Sequence, residues 1–130
     1  MERMKRQQNN NGLSTGEWRK YWKAVDDYLR KTFDIDQRLE RGEILPAAEI
    51  KGILRENFER YFKGEVDQKF IISLGTRIYE LCMGDIEGPE LEQVLDIACP
   101  LDDITAGISK QKSPEEIDQL IHQLFEKYFK

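Results

Sequence analysis

Eight carboxylates and no Lys or Arg stand between Arg77 and Lys110: Glu80, Asp85, Glu87, Glu90, Glu92, Asp96, Asp102 and Asp103. Like charges repel, so a one-signed window in a chain that is 35% charged is tolerated for solubility, a bound cation or a basic partner. Asp102 and Asp103 are adjacent, and Asp34 with Asp36 forms a second close pair upstream. Two such carboxylates can hold a hard cation, or divide acid and base roles when their environments drive their pKa values apart. Neither pair is embedded in an E-x-x-H or calcium-loop pattern, and Asp102 equally suits a backbone turn after Pro100.

The remaining inventory for chemistry is thin. His122, the one histidine, lies on the flank of an apolar helical arc four residues from Asp118, the position of a boundary side chain paired along its helix. With no second histidine and no clustered cysteines, a zinc site has no ligand set. The phosphate-cradling patterns G-x-x-x-x-G-K-S/T and strand-borne G-x-G-x-x-G are absent, and Ser73 precedes Leu74-Gly75 inside a helical stretch, unlike a nucleophile elbow. Cys82 and Cys99 stand in apolar surroundings at no metal-ligand spacing and read as reduced core thiols of a cytoplasmic protein. The expectation is therefore a protein without catalytic residues, metal or cofactor.

Charge is unevenly distributed. Residues 1–32 carry eight basic and four acidic groups, a net of +4; the rest carries twelve basic and twenty-one acidic, a net of −9, which together give −5. An acidic body argues against nonspecific nucleic-acid binding by the domain, since phosphates are repelled; the basic beginning leaves that open for the N-terminal arm alone. No run of 18 apolar residues exists to span a membrane. Arg3, Lys5 and Arg6 are followed by Gln and Asn rather than an apolar stretch, unlike a secretory signal. Residues 1–12 hold almost nothing to bury and predict a disordered polar arm, leaving 13–130 as a single domain.

The elements that would position these groups are helical throughout. A first helix begins at Ser14 or Thr15, with Ser14 and Glu17 in capping-box spacing, and Trp18, Tyr21, Trp22, Val25, Tyr28 and Leu29 line one face. Arg19, Lys20, Lys23, Arg30 and Lys31 occupy the opposite arc. Asp34 to Glu43 reads as a short helical turn stopped by Gly42, or as a loop. Pro46 suits the first turn of a second helix, whose stripe is Ile50, Ile53, Leu54, Phe58, Tyr61 and Phe62 and whose stop is Gly64. Asp67 caps a third helix to about Met83, closed by Gly84; it is apolar on two sides, one of them Ile72, Tyr79 and Met83, which places it centrally or reserves a side for a partner. Gly88-Pro89 opens a short fourth helix to about Ala98, ended by Pro100, with a loop over residues 100–112. Ser113-Pro114-Glu115-Glu116 opens the last helix, carrying Ile117, Leu120, Ile121, Leu124, Phe125, Tyr128 and Phe129. No segment alternates as a strand does. The fold class is all-α, a four- to five-helix antiparallel bundle.

The helix dipole accounts for Glu87, Glu90 and Glu92 at the start of the fourth helix, but not for Asp96, Asp102 and Asp103 at its far end and beyond. A basic partner accounts for all of them, because complementary potentials speed association and reject wrong partners.

From about Phe58 to Phe129 the chain resembles the small helical bacterial immunity proteins typified by the colicin D immunity protein. The similar pieces are the helix end Tyr61-Phe62-Lys63-Gly64-Glu65-Val66, the amphipathic helix containing Phe70, the acidic stretch Leu95-Asp96-Ile97-Ala98-Cys99-Pro100-Leu101-Asp102, and Ser113-Pro114-Glu115-Glu116. The resemblance implies a cytoplasmic, non-enzymatic protein that neutralises a toxin, often a tRNA-cleaving nuclease, by setting an acidic surface against its basic cleft. The positions that carry over are Asp96, Asp102 and Asp103, with Glu87, Glu90 and Glu92 as a second tier. The alternatives are a metal-dependent carboxylate enzyme, or a nucleic-acid-associated or phage-type regulatory or assembly protein using the basic first helix.

Overall fold

The computed structural model describes residues 15–106 and 113–130. The elements in chain order are α1 (Thr15–Phe33), α2 (Ile35–Glu40), β1 (Leu45–Pro46), α3 (Ala47–Phe62), α4 (Gln68–Leu81), β2 (Ile86–Glu87), α5 (Leu91–Ala106) and α6 (Pro114–Phe129). This is an all-α helical bundle. The polar arm, the Ser14 cap and the part of the expected loop at 107–112 lie outside the described residues.

Local chemistry sets the helix boundaries. Gly64 at φ 78° and Gly42 at φ 75° end α3 and α2 in the left-handed region that glycine adopts without strain. Each is followed by an N–H that reaches back to the last turn, Glu65 to the Arg60 carbonyl at 2.9 Å and Glu43 to the Arg38 carbonyl at 3.0 Å. Asp67 caps α4 by accepting from the Phe70 amide at 3.0 Å. Ser113 and Glu116 form a reciprocal capping box at the start of α6, with Pro114 in its first turn.

One expectation fails outright: Pro100 does not end α5. The helix continues through it to Ala106, so Asp102 and Asp103 stand on a helix and not in a loop. A proline inside a helix forgoes one hydrogen bond, here the one to the carbonyl of Asp96. Burial of Ile97, Ala98, Leu101 and Ile104 on either side of it offsets that loss. A second departure is a two-residue parallel pairing, Leu45 with Ile86 and Pro46 with Glu87, where no sheet is expected from the sequence. Two residues are too few to show alternation. The pairing sets the starts of α3 and α5 side by side, and Lys51 of α3 accordingly reaches Gln93 of α5 at 2.5 Å.

The core has α4 at its centre, packed against α1, α3, α5 and α6. Ile71, Ile72, Leu74 and Ile78 are fully enclosed, so the second apolar side of this helix is occupied by neighbours as far as Ile72, whereas Met83 at its end stays exposed. Gly75 lets α5 approach: a Cβ there would lie 2.5 Å from that of Leu101. Aromatic edges close the other seams, Tyr28 against Phe70 and Phe58 against Phe129. Among the described residues the one fully buried side-chain amide, Asn57, is satisfied by the Ile53 carbonyl, Tyr28 and Arg60.

Candidate functional site

Continuation of α5 past Pro100 decides the geometry of the acidic residues. In a helix, Asp96, Asp102 and Asp103 stand three before, three after and four after Cys99, so all three flank that one thiol. Glu92 adds a further turn to the same line. Glu92 and Asp96 are exposed and Asp103 is half-buried. Asp96 accepts a hydrogen bond from the Tyr128 hydroxyl at 3.3 Å. Among the described residues, none of Glu92, Asp96 and Asp103 forms an ion pair with a Lys or Arg of the chain.

Electrostatics report the same clustering. Burial pushes the Cys99 thiol above its ordinary pKa, and the charges of Asp103, Asp102 and Asp96 push it further. Partial burial likewise raises the Asp102 carboxyl; a hydrogen bond from Thr76 on α4 opposes the rise and the Asp103 charge adds to it. Asp102 thus leans toward α4, while Asp96 and Asp103 face outward along α5. The last turn of α5 carries no basic residue to balance these anions, although a helix C-terminus disfavours negative charge. Negative charge at this end of α5 therefore opposes the helix dipole, and the bonds from Tyr128 to Asp96 and from Thr76 to Asp102 offset part of that cost.

The second tier divides. Glu87 lies exposed on β2, at the opposite end of α5 from Asp102 and Asp103. Glu90, placed by the sequence in the acidic surface, is engaged by Lys51 at 3.3 Å and is removed from it. Sequence reasoning could not pair residues 39 apart without the β1–β2 register that brings them together.

The rival constellations separate. Asp36 is held by Arg30 at 2.6 Å, which breaks up the Asp34–Asp36 pair. Adjacent residues on a helix point about 100° apart, and Asp102 and Asp103 do so. Among the described residues no group of three or more His, Cys, Asp or Glu side chains converges as a metal site requires. His122 is exposed, 3.6 Å from Asp118 and stacked on Phe62. On α1, Lys23 and Arg30 are engaged by Asp27 at 2.9 and 3.0 Å, so the basic face is partly neutralised.

Behind Asp102, Thr76 borders a cavity of about 270 Å³ between α1 and α4, with Trp22 on its wall. The sequence placed Trp22 in the core stripe with Trp18. Trp18 is buried, but Trp22 is 38% exposed. An apolar arc as wide as that of α1 does not reveal which of its residues lies at the edge.

Among the described residues, no helix is long and apolar enough to cross a membrane. No protein-family model, curated protein or solved structure matches the chain, so its function is read from this geometry.

Proposed function

We propose that the protein is a non-enzymatic binding module that neutralises a basic, nuclease-type bacterial toxin through the acidic face of α5. The observation that carries this reading is the row Glu92, Asp96 and Asp103 on one helix, with Asp102 beside it; among the described residues no Lys or Arg forms an ion pair with the three members of the row. Glu92 and Asp96 stand one helical turn apart, about 6 Å, and Asp103 follows two turns beyond Asp96, about 10 Å along the axis, so the row presents a line of negative charge along one side of α5. In the complex they take the place of RNA phosphates and pair with Arg and Lys of the partner. The likeness of residues 58–129 to immunity proteins of the colicin D type supports the same class of partner and a cytoplasmic site of action.

Co-expression tests it. The chain's gene neighbourhood is searched for a protein with a basic C-terminal toxin domain, that domain is produced in bacteria together with the chain, and growth is followed. The wild-type chain restores growth; a chain carrying E92K, D96K and D103K, folded by circular dichroism, does not. Equal rescue by the reversed chain, or a neighbourhood without any such toxin domain, overturns the reading.

A further inference from the structure

The cavity between α1 and α4 carries both apolar and charged walls. Trp22 presents a partly exposed indole, and Asp26 and Glu80 place carboxylates at the rim. Ser73 and Thr76 supply hydroxyls. The Ser73 hydroxyl is buried, the residue being 1% exposed, and has no hydrogen-bond partner among the described residues. A buried hydroxyl left unpaired costs free energy, and one lining a cavity is a place where an entering group gains a bond.

Arg77 is the one cation among the described residues of the wall. Its Nε lies 3.2 Å from Asp26 and its Nη1 3.8 Å from Glu80. The Nε–H nonetheless makes no aligned hydrogen bond among the described residues, so these contacts leave both carboxylates with acceptor capacity. Two carboxylates against one guanidinium give the lining a net charge of −1, and Asp102 stands behind Thr76. A cation is favoured over an anion.

We propose that this cavity receives an arginine side chain of the protein partner. Its guanidinium stacks on Trp22, donates to the Asp26 and Glu80 carboxylates, and reaches the hydroxyls of Ser73 and Thr76. Planar stacking on indole combined with a forked set of donors selects arginine over lysine. Thr76 borders the pocket and also bonds Asp102 of α5, so one residue links the pocket to the acidic helix, and an arginine held there is a buried anchor next to a polar surface, the usual anatomy of a binding hot spot. The inference rests on the reading of the protein as a binder of a basic partner.

The test is a titration of the isotope-labelled chain with Nα-acetyl-arginine-N′-methylamide, followed by the indole N–H resonances. The two tryptophans serve as probe and control. Trp22 shifts saturably, with a Kd on the order of millimolar, whereas the resonance of buried Trp18 stays in place. The citrulline analogue, equal in shape and uncharged, binds at least ~10-fold more weakly. E80Q weakens binding, and R77Q tightens it ~3-fold by freeing both carboxylates. Thermal unfolding confirms that both variants are folded.

No saturable shift of Trp22 up to ~50 mM overturns the proposal, as does equal binding of the citrulline analogue. Loss of binding in R77Q also overturns it, since that result marks an anion site. If the pocket fails while reversal of the α5 carboxylates still abolishes toxin binding, only the arginine anchor is lost.

Discussion

Gly75 of α4 and Leu101 of α5 meet where the two central helices cross, and a methyl group on Gly75 would stand 2.5 Å from Leu101 Cβ and 2.8 Å from its Cδ1. The flanking residues of this contact are Thr76 and Asp102, which are hydrogen-bonded to each other. The close approach of two backbones therefore fixes the position of the acidic face.

Replacing Gly75 with alanine forces the helices apart. Gly75→Ala is expected to destabilise the protein by ~1–3 kcal/mol despite the better helix propensity of alanine, as overpacking of a core does. The double variant Gly75→Ala/Leu101→Ala recovers part of the loss, and urea denaturation of the four proteins measures the coupling. Additive effects would mean that the two residues do not touch.

Cys82 and Cys99 report the state of the same interface. Burial pushes the Cys82 thiol up to about 11, and the nearby Cys99 adds to the rise. At pH 8 its thiolate fraction is ~0.1%, which predicts alkylation by iodoacetamide at least ~100-fold slower than free cysteine. Cys99 is slowed as well, and its three carboxylate neighbours contribute. In a Cys82→Ser background, Asp102→Asn/Asp103→Asn is expected to speed its alkylation ~2- to 3-fold at low salt, with less effect at high salt. An unchanged rate would show that these carboxylates do not surround the thiol.

Asp102 sets a pH dependence with a definite sign. Its carboxyl pKa is raised in the fold, so the protonated form is favoured there, and its contribution is fully present below the unfolded value of 3.8 and lost as pH rises through the folded value. Asp102→Asn accordingly raises Tm at pH 7 and brings no gain at pH 3. Because the residue is partly solvated, the gain is small, on the order of 0.5 kcal/mol. Scanning calorimetry at the two pH values decides it. A variant less stable at pH 7 would show that the charge is favourable to the fold.

Asp67 joins two helices with one side chain. One oxygen caps α4 and the other accepts from the Tyr21 hydroxyl of α1 at 2.9 Å. Asp67→Ala is expected to cost ~1–2 kcal/mol in chemical denaturation, whereas Tyr21→Phe, which spares the cap, costs ~1 kcal/mol or less. Equal losses from both substitutions would place the whole effect in the hydroxyl.

Much of this architecture is legible in the residues themselves. Asp67, Gly64, Gly42 and Ser113 mark boundaries through local bonding that depends on a few neighbours, and the structure forms each of them. Local rules mislead at Pro100, because its cost is met by tertiary burial of Ile97, Leu101 and Ile104, which no neighbouring residue announces. Taken as a stop, Pro100 puts Asp102 and Asp103 in a loop and hides their common setting around Cys99. The pairing of Leu45 with Ile86, the engagement of Glu90 by Lys51 and the exposure of Trp22 are likewise set by elements distant in the chain. The acidic window is plain in the sequence; which of its members share a face follows only from the fold.

The most direct measurement is isothermal titration of a basic nuclease-toxin domain, taken from a gene found beside that of the chain, with the wild-type chain and with E92K/D96K/D103K, at ~50 and ~200 mM salt. The account predicts that the wild type binds more weakly at the higher salt, and that the reversed chain loses at least ~100-fold in affinity while its helical circular dichroism is unchanged. Affinity within ~2-fold of wild type in the reversed chain contradicts it.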